Sequence, residues 1–204
     1  MEISVSSPRQ PQQKRSRERV ERILSAAKEL IARGGSDVMK MGELAEKAAV
    51  PIGSLYQFFP DKAAVVRTLA ERYNEEGRAC IREAIEPVRD EAAFAGAFNG
   101  LIDTYYGLFL AEPVMRDIWS GTQADKALQD IDLADARENG AIVAAALRYI
   151  QPQADPEELF NRAMLVMYLG TSTMRLAISV ERQRGDAMVE TYKRLALREL
   201  LASS

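Results

Sequence analysis

An all-α fold of about nine helices is predicted by three features of this 204-residue chain. Helix-favouring Leu, Ala, Glu and Arg are abundant, while helix-breaking residues are few, with 12 Gly and 8 Pro. Apolar residues return at steps of three and four through most of the chain. No run alternates between apolar and polar residues convincingly enough to form a strand. At 47% hydrophobic residues, a substantial core can be buried.

Residues 1–16 are rich in Ser, Pro, Gln and basic side chains and lack an apolar face, which predicts a disordered tail. Its Arg9, Lys14 and Arg15 form either a solvated tail or a basic arm for a polyanion. The first helix is expected from Arg17, capped by Ser16, with Val20, Ile23, Leu24, Ala27, Leu30 and Ile31 on one stripe. Gly34 and Gly35 stop it. A short second helix places Met41, Leu44, Ala45 and Ala48 on one face. Pro51 then interrupts and biases Val50 away from helical geometry. A third, short helix starts near Ile52 and buries Leu55 and Phe59. Pro60 and Asp61 open a fourth, carrying Val65, Val66, Leu69 and Tyr73.

The remaining helices are mostly longer. One is expected over about 91–110, with Phe94, Phe98 and Phe109, and a short one over about 112–120, with Met115, Ile118 and Trp119. The next covers about 125–150. Another starts at Asp155, where Asp-Pro-Glu-Glu supplies a capping carboxylate, a proline at the first helical position and two acids on the helix dipole. It is expected to end near Arg184-Gly185, after which Asp186 caps a last helix through Leu200.

The net charge of −3 conceals an asymmetry. Residues 1–73 carry 13 Lys/Arg against 9 Asp/Glu, and residues 74–204 carry 14 against 21. A basic first part before an acidic body fits a polyanionic partner for the former, although chance fluctuation gives the same numbers. The sequence contains no histidine, which excludes Ser-His-Asp, Cys-His and His-ligated metal chemistry. No catalytic residue, metal site or cofactor is expected. The single cysteine, Cys80, excludes an internal disulfide and is expected to be a buried structural thiol. No apolar stretch is long enough to span a bilayer, so the expectation is a soluble cytoplasmic protein without membrane attachment.

Two short helices joined by a tight turn under a longer first helix form a helix-turn-helix, whose second member is free to enter a major groove about 12 Å wide. Residues 40–62 read KMGELAEKAAVPIGSLYQFFPDK. This stretch resembles the TetR/AcrR family. Leu44-Ala45, Ala48-Ala49-Val50-Pro51, Gly53-Ser54-Leu55-Tyr56, Phe58-Phe59 and Asp61-Lys62 occupy its motif in order. The match extends upstream through Ile23, Leu24, Ala26, Ala27 and Gly34, about sixty residues in all. Three positions depart from the pattern. Ala49 replaces a turn glycine, which predicts a strained or differently shaped turn. Lys40 stands where the family has a capping Thr, and Phe58 lacks the polar tip of a His or Tyr.

The resemblance implies a domain over 17–73 that binds duplex DNA, with its helix-turn-helix at 40–59, and an effector-binding and dimerisation domain over 74–204. It implies phosphate contacts by Tyr56 and Lys62, with Lys40 able to keep one, and base reading or groove packing by Pro51, Ile52, Gly53, Ser54 and Gln57. The residue chemistry agrees. Gln57 can pair with adenine through two hydrogen bonds, Ser54 can serve as donor or acceptor, and Ile52 can touch a thymine methyl. The function implied is a repressor released from a palindromic operator by a partly apolar small molecule. The competing reading is a DNA-binding protein on this scaffold that acts through protein partners without an effector.

A homodimer is implied through the last two helices, about 156–183 and 186–202, with Tyr192 and Leu195 facing a symmetry mate. An effector pocket between helices has as candidates Phe98, Tyr105, Trp119, Met164, Met167, Tyr168 and Arg175, each also suited to core packing. Arg175 lies in an otherwise uncharged stretch, Ala163 to Val180, and requires an acid partner, a dimer-interface role or an anionic ligand.

Overall fold

The computed structural model describes residues 9–121 and 125–202, with side chains from residue 13 onward. The described residues form nine helices and no strand. They divide into two compact units, Met1–Leu69 and Ala70–Ser204.

The first unit contains α1 (Arg9–Gly34), α2 (Met41–Lys47), α3 (Ile52–Phe58) and the start of α4 (Lys62–Ile85). Helix α1 begins earlier than expected. Residues 9–16 are helical and Ser16 lies inside the helix rather than capping it. The Gln, Lys and Arg of this segment are good helix formers, and Pro11 falls in the first turn, where no amide hydrogen is required. The remainder of the expected tail, residues 1–8, lies outside the described residues. Helix α1 stops as expected, with Gly35 at φ 86° and its amide donating to the Ile31 carbonyl at 2.7 Å.

Ile23, Leu24, Ala27, Leu30 and Ile31 of α1 are buried, as are Leu44 and Ala45 of α2 and Leu55 of α3. Helix α2 packs on both α1 and α3. Lys47 pairs with Glu29 at 2.6 Å, and Arg33 pairs with Glu43. These pairs tie α1 to α2 on the outside, where each contributes little.

The second unit begins within α4, a turn before the expected boundary after residue 73. Within this unit the Tyr73 ring meets Trp119 edge-on with centroids 6.5 Å apart. It continues with α5 (Glu91–Ala111), α6 (Pro113–Gly121), α7 (Lys126–Ile150), α8 (Pro156–Ile178) and α9 (Arg182–Leu200). Asp155 caps α8 as expected, accepting from the amides of Glu157 and Glu158.

Helix α9, however, starts at Arg182 and is capped by Glu181, which accepts from the Gln183 amide. Asp186 is not a cap. It accepts hydrogen bonds from the Tyr106 hydroxyl at 3.0 Å and from Arg182 Nε at 2.8 Å. Gly185 resembles a helix stop in the sequence, but a Cβ there would lie 2.3 Å from the Ala177 carbonyl oxygen. It is a close-packing residue inside α9.

Helix α8 packs on α7, α9 and α5. The α7–α8 approach is closest at Gly140, where a Cβ would lie 2.7 Å from Met164 Cα. Phe94, Phe98, Phe109, Ile118 and Leu147 are fully buried, and the Phe94 and Phe98 rings stack. Cys80 is exposed, contrary to the buried thiol expected. The buried positions at this end of α4 are Ile81 and Ile85, which turn the preceding residue outward.

Candidate nucleic-acid interface and polar cluster

The α2–α3 turn is built without the usual glycine. Ala48 ends α2, Ala49 adopts φ 52°, and the Val50 and Ala49 amides donate to the carbonyls of Ala45 and Glu46 at 3.0 Å each. This pair of bonds is a Schellman closure, and the apolar contact that accompanies one is supplied by buried Val50 and Ala45. The left-handed conformation expected to strain Ala49 is present. Pro51 then starts α3, and its carbonyl accepts from the amides of Ser54 and Leu55.

Leu55 and, just beyond α3, Phe59 are buried, which anchors α3 by one face. Pro51, Ile52, Gly53, Tyr56 and Gln57 are exposed together on the other, with Ser54 half-buried at its margin. Ile52 and Tyr56 keep 46% and 49% of their surface, high for apolar and aromatic side chains. Phe58 is half-buried, a placement that needs no polar tip. Lys40 is exposed and makes no capping bond. Lys62 donates through Nζ to the Asp37 carbonyl at 2.7 Å, so one of its three donors is engaged within the chain. Arg19 of α1, absent from the expected set, donates through Nη1 to Ser54 Oγ at 3.0 Å. Its sequence signal was weak, because it is one of several basic residues on a largely exposed helix.

In the second unit the expected effector residues separate. Phe98 is core, stacked on Phe94. Met164 packs over Gly140, and Met167 is half-buried. Tyr168 faces outward at 40% exposure. Tyr105, Trp119 and Arg175 come together. Arg175 Nη1 reaches the Trp119 carbonyl at 3.4 Å and Nη2 the Ser172 hydroxyl at 3.2 Å, while Tyr105 Oη lies 3.3 Å from Thr171 Oγ1. Burial raises the Asp132 pKa, and the positive charge of Arg175 opposes that rise. Of the roles open to Arg175, the chain therefore supplies an acid neighbour.

Beside this group, Arg78 binds Asp135 and Glu138, and Asn139 donates to Asp135 at 2.7 Å. Burial pushes Asp135 up to about 6, against the pull of Arg78 and Asn139. Burial, reinforced by Glu112 and Glu76, pushes Tyr73 up to about 12. Asp132 and Asp135 were missed by sequence reasoning. The signal was their helical spacing with Leu128 and Asn139, which places acids on the buried face of α7. A small void lies among Ala70, Ile118, Trp119, Leu128, Ile131 and Asp132, with room on the order of a single water.

Of the two expected dimer residues, only Leu195 faces out, at 62% exposure. Tyr192 does not. It is buried, with its hydroxyl donating to the Val166 carbonyl at 2.6 Å, so it ties α9 to α8 within one chain. Leu165, Leu169 and Leu176 of α8 keep 45–56% of their surface and form the outward apolar stripe with Tyr168.

A short helix pair with one anchored and one open face defines a helix-turn-helix protein, followed here by an all-α second unit. Residues 23–69 match the bacterial regulatory proteins of the tetR family, and residues 92–204 match the tetracyclin repressor-like C-terminal domain. The chain belongs to the TetR family of transcriptional regulators. It is similar to the HTH-type transcriptional repressor KstR of Mycolicibacterium smegmatis, 33% identical over 95 residues, or 46% of this chain and 42% of that one. It is also similar to KstR of Rhodococcus jostii, 39% identical over 66 residues, or 30% and 31%. The chain thus spans less than half the length of these curated relatives. Among solved structures, a TetR-family regulator from Streptomyces coelicolor superposes with a TM-score of 0.66 at 24% identity, covering 91% of this chain and 97% of that one. RolR in complex with resorcinol superposes with a TM-score of 0.64 at 15% identity, covering 92% and 95%. These likenesses establish the fold. Among the described residues, no helix is long and apolar enough to cross a membrane.

Proposed function

We propose that the protein is a cytoplasmic homodimeric repressor that holds a palindromic DNA operator and leaves it when a small molecule binds the second unit. The observation that carries this reading is the open face of α3, Pro51 to Gln57, set over buried Leu55 and Phe59. Gln57 is exposed there to read a base edge, while exposed Tyr56 and Lys40 and half-buried Lys62 can position the module on phosphates. The apolar stripe of α8 with Leu195 supports self-association, which sets two recognition helices about 34–36 Å apart for adjacent major grooves.

The cluster of Tyr105, Trp119, Asp132, Thr171 and Arg175 is the proposed effector site. A ligand there must part α6 from α7 and must favour the released state to shift the equilibrium. The water-sized void favours the second reading, a same-fold regulator that acts through protein partners. A compound screen separates the two. An effector raises the melting temperature, changes Trp119 emission and lowers operator affinity together, whereas the partner-driven protein responds to no ligand. The DNA reading itself is tested by selecting bound duplexes from a random pool. The wild type should enrich an inverted repeat, and Gln57→Ala should lose preference at one position per half-site, by about 1–3 kcal/mol. Enrichment of no sequence would sink it.

A further inference from the structure

We infer that Arg19 is a positioning residue that makes Ser54 a hydrogen-bond donor toward DNA and so disfavours cytosine at the base Ser54 meets. This rests on the DNA-binding reading of α3. A serine hydroxyl has one proton and two lone pairs, and a guanidinium can only donate. With Arg19 Nη1 at 3.0 Å, Ser54 Oγ accepts one bond from a cation, which leaves its proton and one lone pair. The guanidinium charge polarises the hydroxyl, so the proton becomes a stronger donor and the remaining lone pair a poorer acceptor.

A helical hydroxyl commonly spends that proton on the carbonyl four residues back. Thr68, Thr104, Thr173 and Thr191 all do so. The Ser54 hydroxyl makes no such bond among the described residues, and its hydrogen bond there is the one from Arg19. The proton is therefore available at the margin of the open face, beside Gly53 and Gln57. In the major groove, guanine, adenine and thymine each offer an acceptor, whereas cytosine offers only its amino donor.

Arg19 also holds α3 in place. Helix α3 has seven residues and no side-chain N-cap, so a tether from α1 at its third residue limits its freedom to tilt. The arginine acts on base choice through Ser54, without touching a base.

The test is duplex selection with the full-length wild type, Arg19→Ala, Ser54→Ala, the double variant and Arg22→Ala. Alanine is a strong helix former, and a thermal melt of each variant verifies folding. Wild type should disfavour cytosine at one position per half-site by roughly five- to tenfold, the size of one neutral hydrogen bond. Arg19→Ala and Ser54→Ala should both reduce that discrimination to within about twofold at the same position, and the double variant should lose no more. Arg22→Ala removes a charge from the same helix and should lower affinity for all sequences while leaving the cytosine penalty intact.

An Arg19→Ala protein that binds every sequence more weakly with its base preference unchanged overturns the inference, reducing Arg19 to a charge. A Ser54→Ala protein with unchanged preference also overturns it. In both cases the wild type still enriches its operator, so the DNA-binding reading survives. A wild type that enriches nothing removes both.

Discussion

Replacing Ala49 by glycine should make the protein more stable. Ala49 holds φ 52° at the position after the α2 C-cap, where its Cβ crowds the following carbonyl. For an L-residue that conformation costs roughly 1–2 kcal/mol. Glycine escapes the crowding but loses more backbone freedom on folding, about 0.5–1 kcal/mol relative to alanine. The hydrogen bonds that close the turn come from backbone atoms of Ala49 and Val50, so the substitution keeps them. Ala49 is itself exposed, so no core contact is lost with its methyl group. The net gain is about 1 kcal/mol, which raises the melting midpoint by about 2–4 °C if the chain unfolds as one cooperative unit. Ala49→Val serves as the opposite control, because a β-branched side chain at positive φ is more strongly disfavoured. Differential scanning calorimetry of the three proteins at one pH checks the order Gly, Ala, Val. A glycine variant with an unchanged or lower midpoint would show that the turn stores no strain and would refute the reasoning.

Other substitutions probe the second unit. Gly140→Ala places a methyl group 2.7 Å from Met164 Cα, a backbone atom that cannot swing aside, and should cost about 1–3 kcal/mol in urea denaturation; equal stability would show that α7 and α8 can separate freely. Asp135 binds its proton more tightly folded, at about 6, than unfolded, at 3.8. Its contribution therefore favours folding below about pH 4 and is lost as pH rises through 6, so Asp135→Asn should flatten the stability profile across that window by on the order of 2 kcal/mol. A profile of unchanged slope contradicts that assignment. Leu195→Glu should yield monomers in sedimentation and lose operator binding with them, while tight palindrome binding by monomers would exclude the α8–α9 dimer. Because Tyr192 is buried inside the chain, Tyr192→Phe should weaken folding through the lost bond to Val166, by about 1 kcal/mol, without dissociating a dimer.

Sequence by itself determined the helices and the recognition motif, because both are written in local terms. The three- and four-residue steps of Ile23, Leu24, Ala27, Leu30 and Ile31 fix a buried face whatever packs on it. Asp155-Pro156-Glu157-Glu158 starts a helix with its own side chains. The Ala49 strain was legible because a turn that asks for glycine received alanine. What the tertiary structure alone decided depends on partners distant along the chain. Gly185 carries the same local signal as a helix stop, yet Ala177, reached only after α8 and α9 fold together, makes it a contact residue. Tyr192 and Leu195 sit three residues apart, and only the path of α8 shows that one faces in and the other out. Arg175 is open among three roles in the sequence, and only the fold sets its guanidinium against the Trp119 carbonyl and the Ser172 hydroxyl. Arg19 became distinct from its basic neighbours only when the fold set it against Ser54, 35 residues away. Helical periodicity encodes which face of an element is buried, while the identity of the atom across an interface is set by how separate helices pack, and no local pattern carries that information.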